Sequence, residues 1–420
     1  MGSVASAVGR IKGNLADAIP ASLVDRIVHS LGLTTRDRQL TPVVTTHLAV
    51  RRCLHGGTAI THLRRFTAVP FSPSAYCQAV QRLPVAFFGL LALAVADRLR
   101  TDRTADRWHG HRVFLLDGTG LSMPDTPALQ KAFGQPPGQK PGCGFPVAHL
   151  LAMFDHRTGY LVSTTLAPLA THDLTHAAAT HAEMKTGDVL LADRAFGSFA
   201  HLAVLRKRGL HGLFRLHQRR PHGTRRDRLV SYAKPPTKPA WMTDRAYAAL
   251  PDAVTVREVR VGVKSPGGRV RHLTLVTTLL DRDRYPAKNL AKLYAQRWRV
   301  EVNLRSLKGT LGMDVLKSKT VAGVKKEVLL FAAAYNLVRK VMQTAADQQR
   351  VPADRISFVD ALRWVVHALT DDDIPDLIVL PDRPGRHEPR VKKRRPKSYP
   401  LMTAPRHVLR KRLKLRGKAA

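Results

Sequence analysis

The sequence alone predicts a mixed α/β fold. Helices fill residues 1 to about 105, strands and helices alternate over about 106–345 with a β-rich insertion at about 206–285, and a helix and basic tail close the chain at 346–420. Three patterns lead there. Apolar residues recur at helical spacing through the first hundred positions. Short apolar runs rich in β-branched and aromatic residues follow, bounded by turn residues. A long amphipathic stretch then begins near Leu290.

In the first region, Leu15, Ile19, Leu23, Val24, Ile27 and Val28 recur at helix spacing, and Gly32 suits a stop. Further helices fit 41–54 and 84–100. The apolar run from Leu83 to Ala96 is 14 residues long and contains Pro84. It is shorter than the roughly 20 residues that span a bilayer, so it reads as a buried helix. Arg51, Arg52, Arg64, Arg65, Arg98 and Arg100 stud these segments. They suit a helical module that grips duplex DNA; a packing domain with a solvated basic face is the plainer alternative.

Strands are expected at 112–121, 147–155, 160–167 and 189–193, with a helix over 174–185. His156-Arg157-Thr158-Gly159 is a turn that joins the second and third strands as a hairpin. Asp117 and Asp193 are separated by 76 residues, Asp193 and Glu301 by 108. A compact core does not need the longer interval. Its β-like runs at 213–217, 255–263 and 272–280 fit an insertion, and 201–285 holds 19 Lys and Arg against 6 Asp and Glu. Helices are expected again at 325–347 and 356–369. From Arg386 onward come 14 Lys and Arg with one Glu, a basic arm suited to phosphate contact.

The chemistry concentrates in Tyr294, Arg297, Glu301 and Lys308, at offsets 0, 3, 7 and 14. On a uniform α-helix these fall at about 0°, 300°, 340° and 320°, an arc of roughly 60°. Leu293, Val300, Leu304, Leu307 and Leu311 form the adjacent stripe, which faces a core. Asp117 ends the apolar run Val113–Leu116, and Asp193 ends Val189–Ala192. Acids at the ends of two core strands, with a third on a helix, can converge on two divalent cations. Such a pair, about 3.5–4 Å apart, serves phosphodiester chemistry.

These residues resemble the IS4-type DDE transposases. Leu116-Asp117-Gly118-Thr119 resembles the first acid motif of that family, and Leu191-Ala192-Asp193-Arg194-Ala195-Phe196 the second. Tyr294, Arg297, Glu301 and Lys308 match Tyr-x2-Arg-x3-Glu-x6-Lys in full. The likeness runs from about 110 to 340 and includes Pro124–Pro127, Phe133-Gly134-Gln135 and Thr171–Thr175. It implies an RNase H-like core in which Asp117, Asp193 and Glu301 are catalytic and bind two Mg²⁺ or Mn²⁺ ions. It implies double-stranded DNA as partner, both element ends and target, with Tyr294, Arg297 and Lys308, and also Arg194, at the DNA. A homodimer in the synaptic complex and excision through an end hairpin belong to the same expectation. The rivals are a noncatalytic DNA-binding derivative and an RNase H-like nuclease without strand transfer.

Among other candidates, Asp155 and Asp188 stand in turn contexts, Asp125 in a Pro-rich loop, and Asp173 suits a helix N-cap. His172 and His176, with His181 near, lack the further ligands of a zinc site. Glu183 reads as a solvated or supporting acid, Trp298 as a packing residue before a base-stacking one, and Arg305 as a further DNA contact. The 420 residues carry 69 Lys and Arg against 31 Asp and Glu, a formal charge of +38. That excess calls for a polyanion and makes affinity salt-dependent. No spanning segment or basic amphipathic helix favours a membrane. Cys53, Cys77 and Cys143 are isolated, as suits a reducing, cytoplasmic and nucleoid-associated setting. Residues 1–6 match a myristoylation pattern that recurs by accident.

Overall fold

The computed structural model describes residues 19–34, 39–99, 107–218, 220, 226–264, 270–367, 374–381 and 402–416. Residues 1–6 and Arg100 fall outside them, as does most of the basic tail. Among the described residues four helices of ten or more residues come first: α1 (Ala21–Ser30), α2 (Pro42–Leu54), α3 (Pro73–Arg82) and α4 (Val85–Leu99). The starts of α2 and α3 are encoded locally. Thr41 and Ser72 accept hydrogen bonds from the Val44 and Ala75 amides at 3.2 and 3.1 Å, and proline occupies the first helical position of each. The apolar run becomes α4, with Phe87, Phe88 and Val95 fully buried. Among the described residues no single helix is long and apolar enough to cross a membrane; α3 and α4 reach that composition only together, and they meet at 82°.

The centre of the chain supplies β1 (Val113–Ser122), α5 (Pro127–Phe133), β2 (Val147–Asp155), β3 (Leu161–Pro168), α6 (Asp173–Thr180) and β4 (Val189–Leu191). Then follow α7 (Phe199–Lys207), β5 (His211–Arg215), β6 (Asp227–Ala233), α8 (Asp244–Ala248), β7 (Ala253–Lys264) and β8 (Val270–Thr277). One eight-stranded sheet results, in the order β3-β2-β1-β4-β5-β8-β7-β6. The β1-β2 and β2-β3 pairs are antiparallel, whereas β4 runs parallel to β1 and β5 parallel to β4.

The strand at 211–215, assigned to the insertion on sequence grounds, pairs with β4 and is therefore the fifth strand of the central sheet. A short apolar run does not reveal its partner, so its membership could not be read locally. The insertion begins after β5, and its strands extend the same sheet, because β8 pairs antiparallel with β5. It contains a helix as well as strands. Part of its charge is paired: buried Arg257 binds Asp227 at 2.9 and 2.6 Å, and Arg228 binds Glu258 at 2.9 and 2.6 Å.

Side-chain alternation gives the sheet two apolar faces. Phe114, Leu116, Leu190 and Phe214 pack with α6 and α7. Leu115, Leu191 and Leu213 pack with α9 (Ala287–Ala295), α10 (Arg299–Arg305) and α11 (Val321–Gln349). The N-terminal helices join this second cluster through Leu23, Val44 and Phe87, so they share its core. Lys326 of α11 fastens them, donating to the Val80 and Gln81 carbonyls at the end of α3 at 3.0 and 3.2 Å. The last described helices are α12 (Phe358–His367) and α13 (Arg406–Arg416).

Strand β3 lies at the sheet edge, yet Leu161 is not left unpaired. Fully buried Asn336 of α11 accepts from the Leu161 amide and donates to its carbonyl, both at 2.8 Å. Asn336→Leu leaves both backbone groups buried without partners. A loss of about 2–5 kcal/mol is expected, at roughly 1–3 kcal/mol per orphaned group. Urea unfolding of the variant beside wild type measures it; an unchanged midpoint would show that solvent reaches this edge.

Candidate active site

The site rests on a register. Leu115 of β1 is paired with Leu191 of β4, and Leu191 with Leu213 of β5. Two positions further along each strand stand Asp117, Asp193 and Arg215. Partners in parallel strands share a face, and a step of two returns to it. All three side chains therefore belong to one row on the face covered by α9 and α10. Strand β4 leaves the ladder at Leu191, where Asp193 caps a 3₁₀ turn at Arg194–Phe196 and accepts from the Ala195 amide at 2.8 Å. Beyond Leu115, β1 thus has no β4 neighbour, and this opening exposes the row. Arg215 was not singled out from the sequence. Its signal is its offset from the apolar strand Gly212-Leu213-Phe214, the same one that singles out the two acids.

The helical column differs from the uniform helix assumed for it. After α9 comes a 3₁₀ turn at Gln296–Trp298, then α10, then a π turn at Ser306–Thr310. The tight turn and the wide one alter the phase between Tyr294 and Lys308. Tyr294, Arg297 and Lys308 still reach the row, whereas Glu301 is exposed and meets it through Arg297. Arg297 bridges two acids, with Nη2 at 2.8 Å from Glu301 Oε1 and Nη1 at 3.6 Å from Asp117 Oδ2. Lys308 donates to Thr119 Oγ1 at 2.9 Å, two residues beyond Asp117 on the same face of β1. Tyr294 lies among Arg297, Asp193 and Arg215, and burial raises its pKa. Burial opposes the charge on Arg297, but Glu301, Tyr294 and Asp117 outweigh it and raise its pKa. Lys308 is lowered, first by burial.

Two histidine pairs that the sequence did not disclose support the acids from behind. His149 of β2 is hydrogen-bonded to Asp173, the first residue of α6, rather than Asp173 serving as N-cap; His172 fills that position. The pair lies against Gly118, where a Cβ would meet His149 at 2.6 Å and Asp173 at 2.7 Å. The glycine after Asp117 is thus demanded by a close neighbour. On α7, His201 Nδ1 lies 2.7 Å from the Phe196 carbonyl, so it must donate there. Its Nε2 then accepts from His181 Nε2 at 3.1 Å. This chain holds the turn that follows Asp193, and burial pushes His181 down to about 3 and His201 to about 4.

Residues 108–337 match the family described as transposase DDE domain. Over 362 residues the chain is 26% identical to transposase InsG for insertion sequence element IS4 from Escherichia coli strain K12, covering 80% of this chain and 79% of that one. The chain belongs to the IS4-type DDE transposases. A cryo-EM structure of the piggyBac transposase synaptic complex with hairpin DNA shares 10% identity at a TM-score of 0.45, over 86% of this chain and 78% of the other.

Elsewhere in the transposase, the competing acids have other partners. Asp155 closes its turn by accepting from Arg157 and Thr158, and Asp188 binds Arg112 and the Lys185 amide. Glu183 lines a cavity at the far end of β1 with Arg112 and Asp155. His181 pairs with His201 and not with His172 or His176. Arg194 is exposed and its Nη1 donates to Gln218 at 2.8 Å, beside the row and not in it. Trp298 is 58% exposed, which removes the packing role expected of it. Arg305 is exposed next to Lys308 on the same run of helix.

Oxygen-only carboxylate donors suit hard divalent cations, and Asp117, Asp193 and Glu301 fit that requirement in kind. Among the described residues, however, no three His, Cys, Asp or Glu side chains form a ready ligand set. Between Asp117 and Glu301 stands the Arg297 guanidinium, which supplies the local positive charge. Ions would bind only as Arg297 gives up its contact with Asp117.

Burial pushes the Asp117 carboxyl up to about 6; the Gly118 amide and Arg297 oppose this, and Asp193 and Asp173 add to it. The folded carboxyl holds its proton to higher pH than the unfolded one. Stability therefore falls as pH rises from about 4 through about 6. In metal-free buffer Asp117→Asn removes this penalty. The variant should exceed wild type by up to about 3 kcal/mol at pH 7.5 and match it below about pH 4. Denaturant unfolding at both pH values decides it, and a variant that is less stable at pH 7.5 contradicts the raised pKa.

Proposed function

We propose that this transposase cuts DNA at the ends of its element and joins the freed 3′-hydroxyls to target DNA, using Asp117, Asp193 and Glu301 to hold two Mg²⁺ or Mn²⁺ ions. The observation that carries the reading is the row itself: Asp117 two residues beyond Leu115 and Asp193 two beyond its partner Leu191, with Arg297 joining Asp117 to Glu301. When bound, two such ions supply an activated nucleophile and a stabilised leaving oxygen.

The remaining steps belong to the side chains. Arg297 turns from Asp117 to a backbone phosphate, which its planar fork can bind through two hydrogen bonds. Lys308 offers a point charge from beside Thr119. Tyr294, kept neutral by burial, donates its hydroxyl to a phosphate oxygen and takes no covalent part. Arg215 and Arg194 extend the cationic border past Asp193. Exposed Arg64, Arg65 and Arg98 on the N-terminal helices, with Arg245 and Arg260 in the insertion, hold the duplex further out. Two ends must be handled together, so the active form is a homodimer on DNA, located at the nucleoid.

Glu301→Gln keeps the shape and loses the charge. It should bind an element-end duplex with wild-type affinity and fail to nick it in Mg²⁺; wild-type nicking would hand the third acid's place to another residue. Arg297→Ala and Lys308→Ala should each lower the log–log salt slope of end binding by about one unit. Calorimetric Mn²⁺ binding should persist in both. Unchanged slopes with unchanged cleavage would reduce the column to a surface ion-pair ladder.

A further inference from the structure

Helix α13 is basic and carries no acid. Arg410, Lys411, Arg412 and Lys414 are exposed, while Arg406, Val408 and Leu409 at its start are partly buried. That start is anchored. Arg406 lies 3.4 Å from Asp125 Oδ2 and stacks over the Phe145 ring at 4.1 Å. Pro405 sits against Gly142, where a Cβ would stand 2.9 Å from its Cγ. Asp125 is in turn held by Gln130 at 2.9 Å.

The anchor lies on the continuation of the strand that bears Asp117. From Asp117 to Ser122 is about 17 Å of strand. At Ser122 the strand tip bonds to the segment after the π turn, Ser122 N to Asp314 O at 3.0 Å and Leu316 N to Ser122 O at 2.8 Å. Asp125 follows three residues later, and Thr126 Oγ1 donates to the Lys319 carbonyl at 3.2 Å. Lys308, Lys317, Lys319 and then α13 thus succeed one another away from the acids. Helix α13, about 16 Å long, starts from that end of the line.

We propose that α13 is a DNA-backbone rail. Anchored by Arg406 on Asp125 and Phe145, it grips the phosphates of a duplex whose scissile bond lies at Asp117, at a distance of five or more base pairs from the cut. The proposal rests on the cleavage reading above. The occupant is duplex DNA because four exposed cations on two successive turns face no acid of their own helix, and the phosphate backbone is the partner that supplies charge at that repeat.

The test is affinity across a salt series, in EDTA, for two duplexes. One extends about 25 bp on both sides of the cleavage position; the other stops five base pairs from it. Replacing Arg410, Lys411, Arg412 and Lys414 together by Ala should lower the slope by about three units on the long duplex and by less than one on the short. A set that exchanges Lys and Arg at the same positions should keep the wild-type slope. Asp125→Asn removes a negative charge, so electrostatics alone would tighten DNA binding. Loss of the anchor predicts several-fold weaker binding to the long duplex instead. An unchanged slope on the long duplex, an equal loss on both duplexes, or tighter binding by Asp125→Asn overturns the rail. So does an alanine set that loses only binding to anionic vesicles. If the wild type cleaves ends and Glu301→Gln does not, while the alanine set behaves as wild type, the rail fails and the cleavage reading stands. A wild type that binds neither duplex removes both.

Discussion

The arrangement depends on the parallel register that ties Leu115 to Leu191 and Leu191 to Leu213. Those three leucines are fully buried, so a slip by one residue would turn each of them off the core face and carry Asp117, Asp193 and Arg215 with it. The core that stabilises the sheet therefore also sets the height of two acids and a guanidinium to within one strand spacing. The helix above is positioned by the same cluster, through Leu293, Val300, Leu304 and Leu307. No separate device is needed to bring Glu301 over the strands.

Holding a carboxylate at a partly buried edge is unfavourable first because burial strips it of solvent and then because Asp193 and Asp173 lie near, and the raised Asp117 pKa expresses both. Arg297 relieves the repulsion from within the chain. A guanidinium is a modest substitute for two divalent ions, but it is always present. Its release from Asp117 is easiest when a phosphate is ready to receive it. On the proposed function, ion binding and DNA binding at this site are linked, and each favours the other by the same free energy.

The local parts of this picture were legible in the sequence. Asp117 and Asp193 announce themselves at the ends of apolar strands, and Tyr294, Arg297, Glu301 and Lys308 by spacing. Contacts between distant segments were not. His149 and Asp173 are 24 residues apart, His181 and His201 20 apart, and neither pair carries a local pattern. Arg215 becomes conspicuous only once β5 is known to lie beside β4, a pairing that a five-residue apolar run cannot specify. Trp298 was misjudged because its large aromatic side chain was weighed above its position: at 100° per residue it already falls about 150° from the stripe of Leu293, Val300, Leu304, Leu307 and Leu311, and it stands 58% exposed. The shared core of the N-terminal helices and the sheet was hidden for the same reason: amphipathic patterns show that a face is covered, not what covers it.

The π turn has a bearing on chain length. It is closed by a bond from the Leu311 amide to the Ser306 carbonyl, 2.9 Å long and spanning five residues. Such a turn accommodates one residue more than the α turn it replaces. Deleting a residue within 306–310 would let the helix revert to α geometry with its backbone hydrogen bonds intact. The wide turn makes about the same rotation with one residue more than a regular turn, so the helix after it would keep its face relative to Glu301. A single-residue gap in an alignment with related chains belongs at this turn, the one place in the helix where a residue can be lost without turning Leu311 off the core.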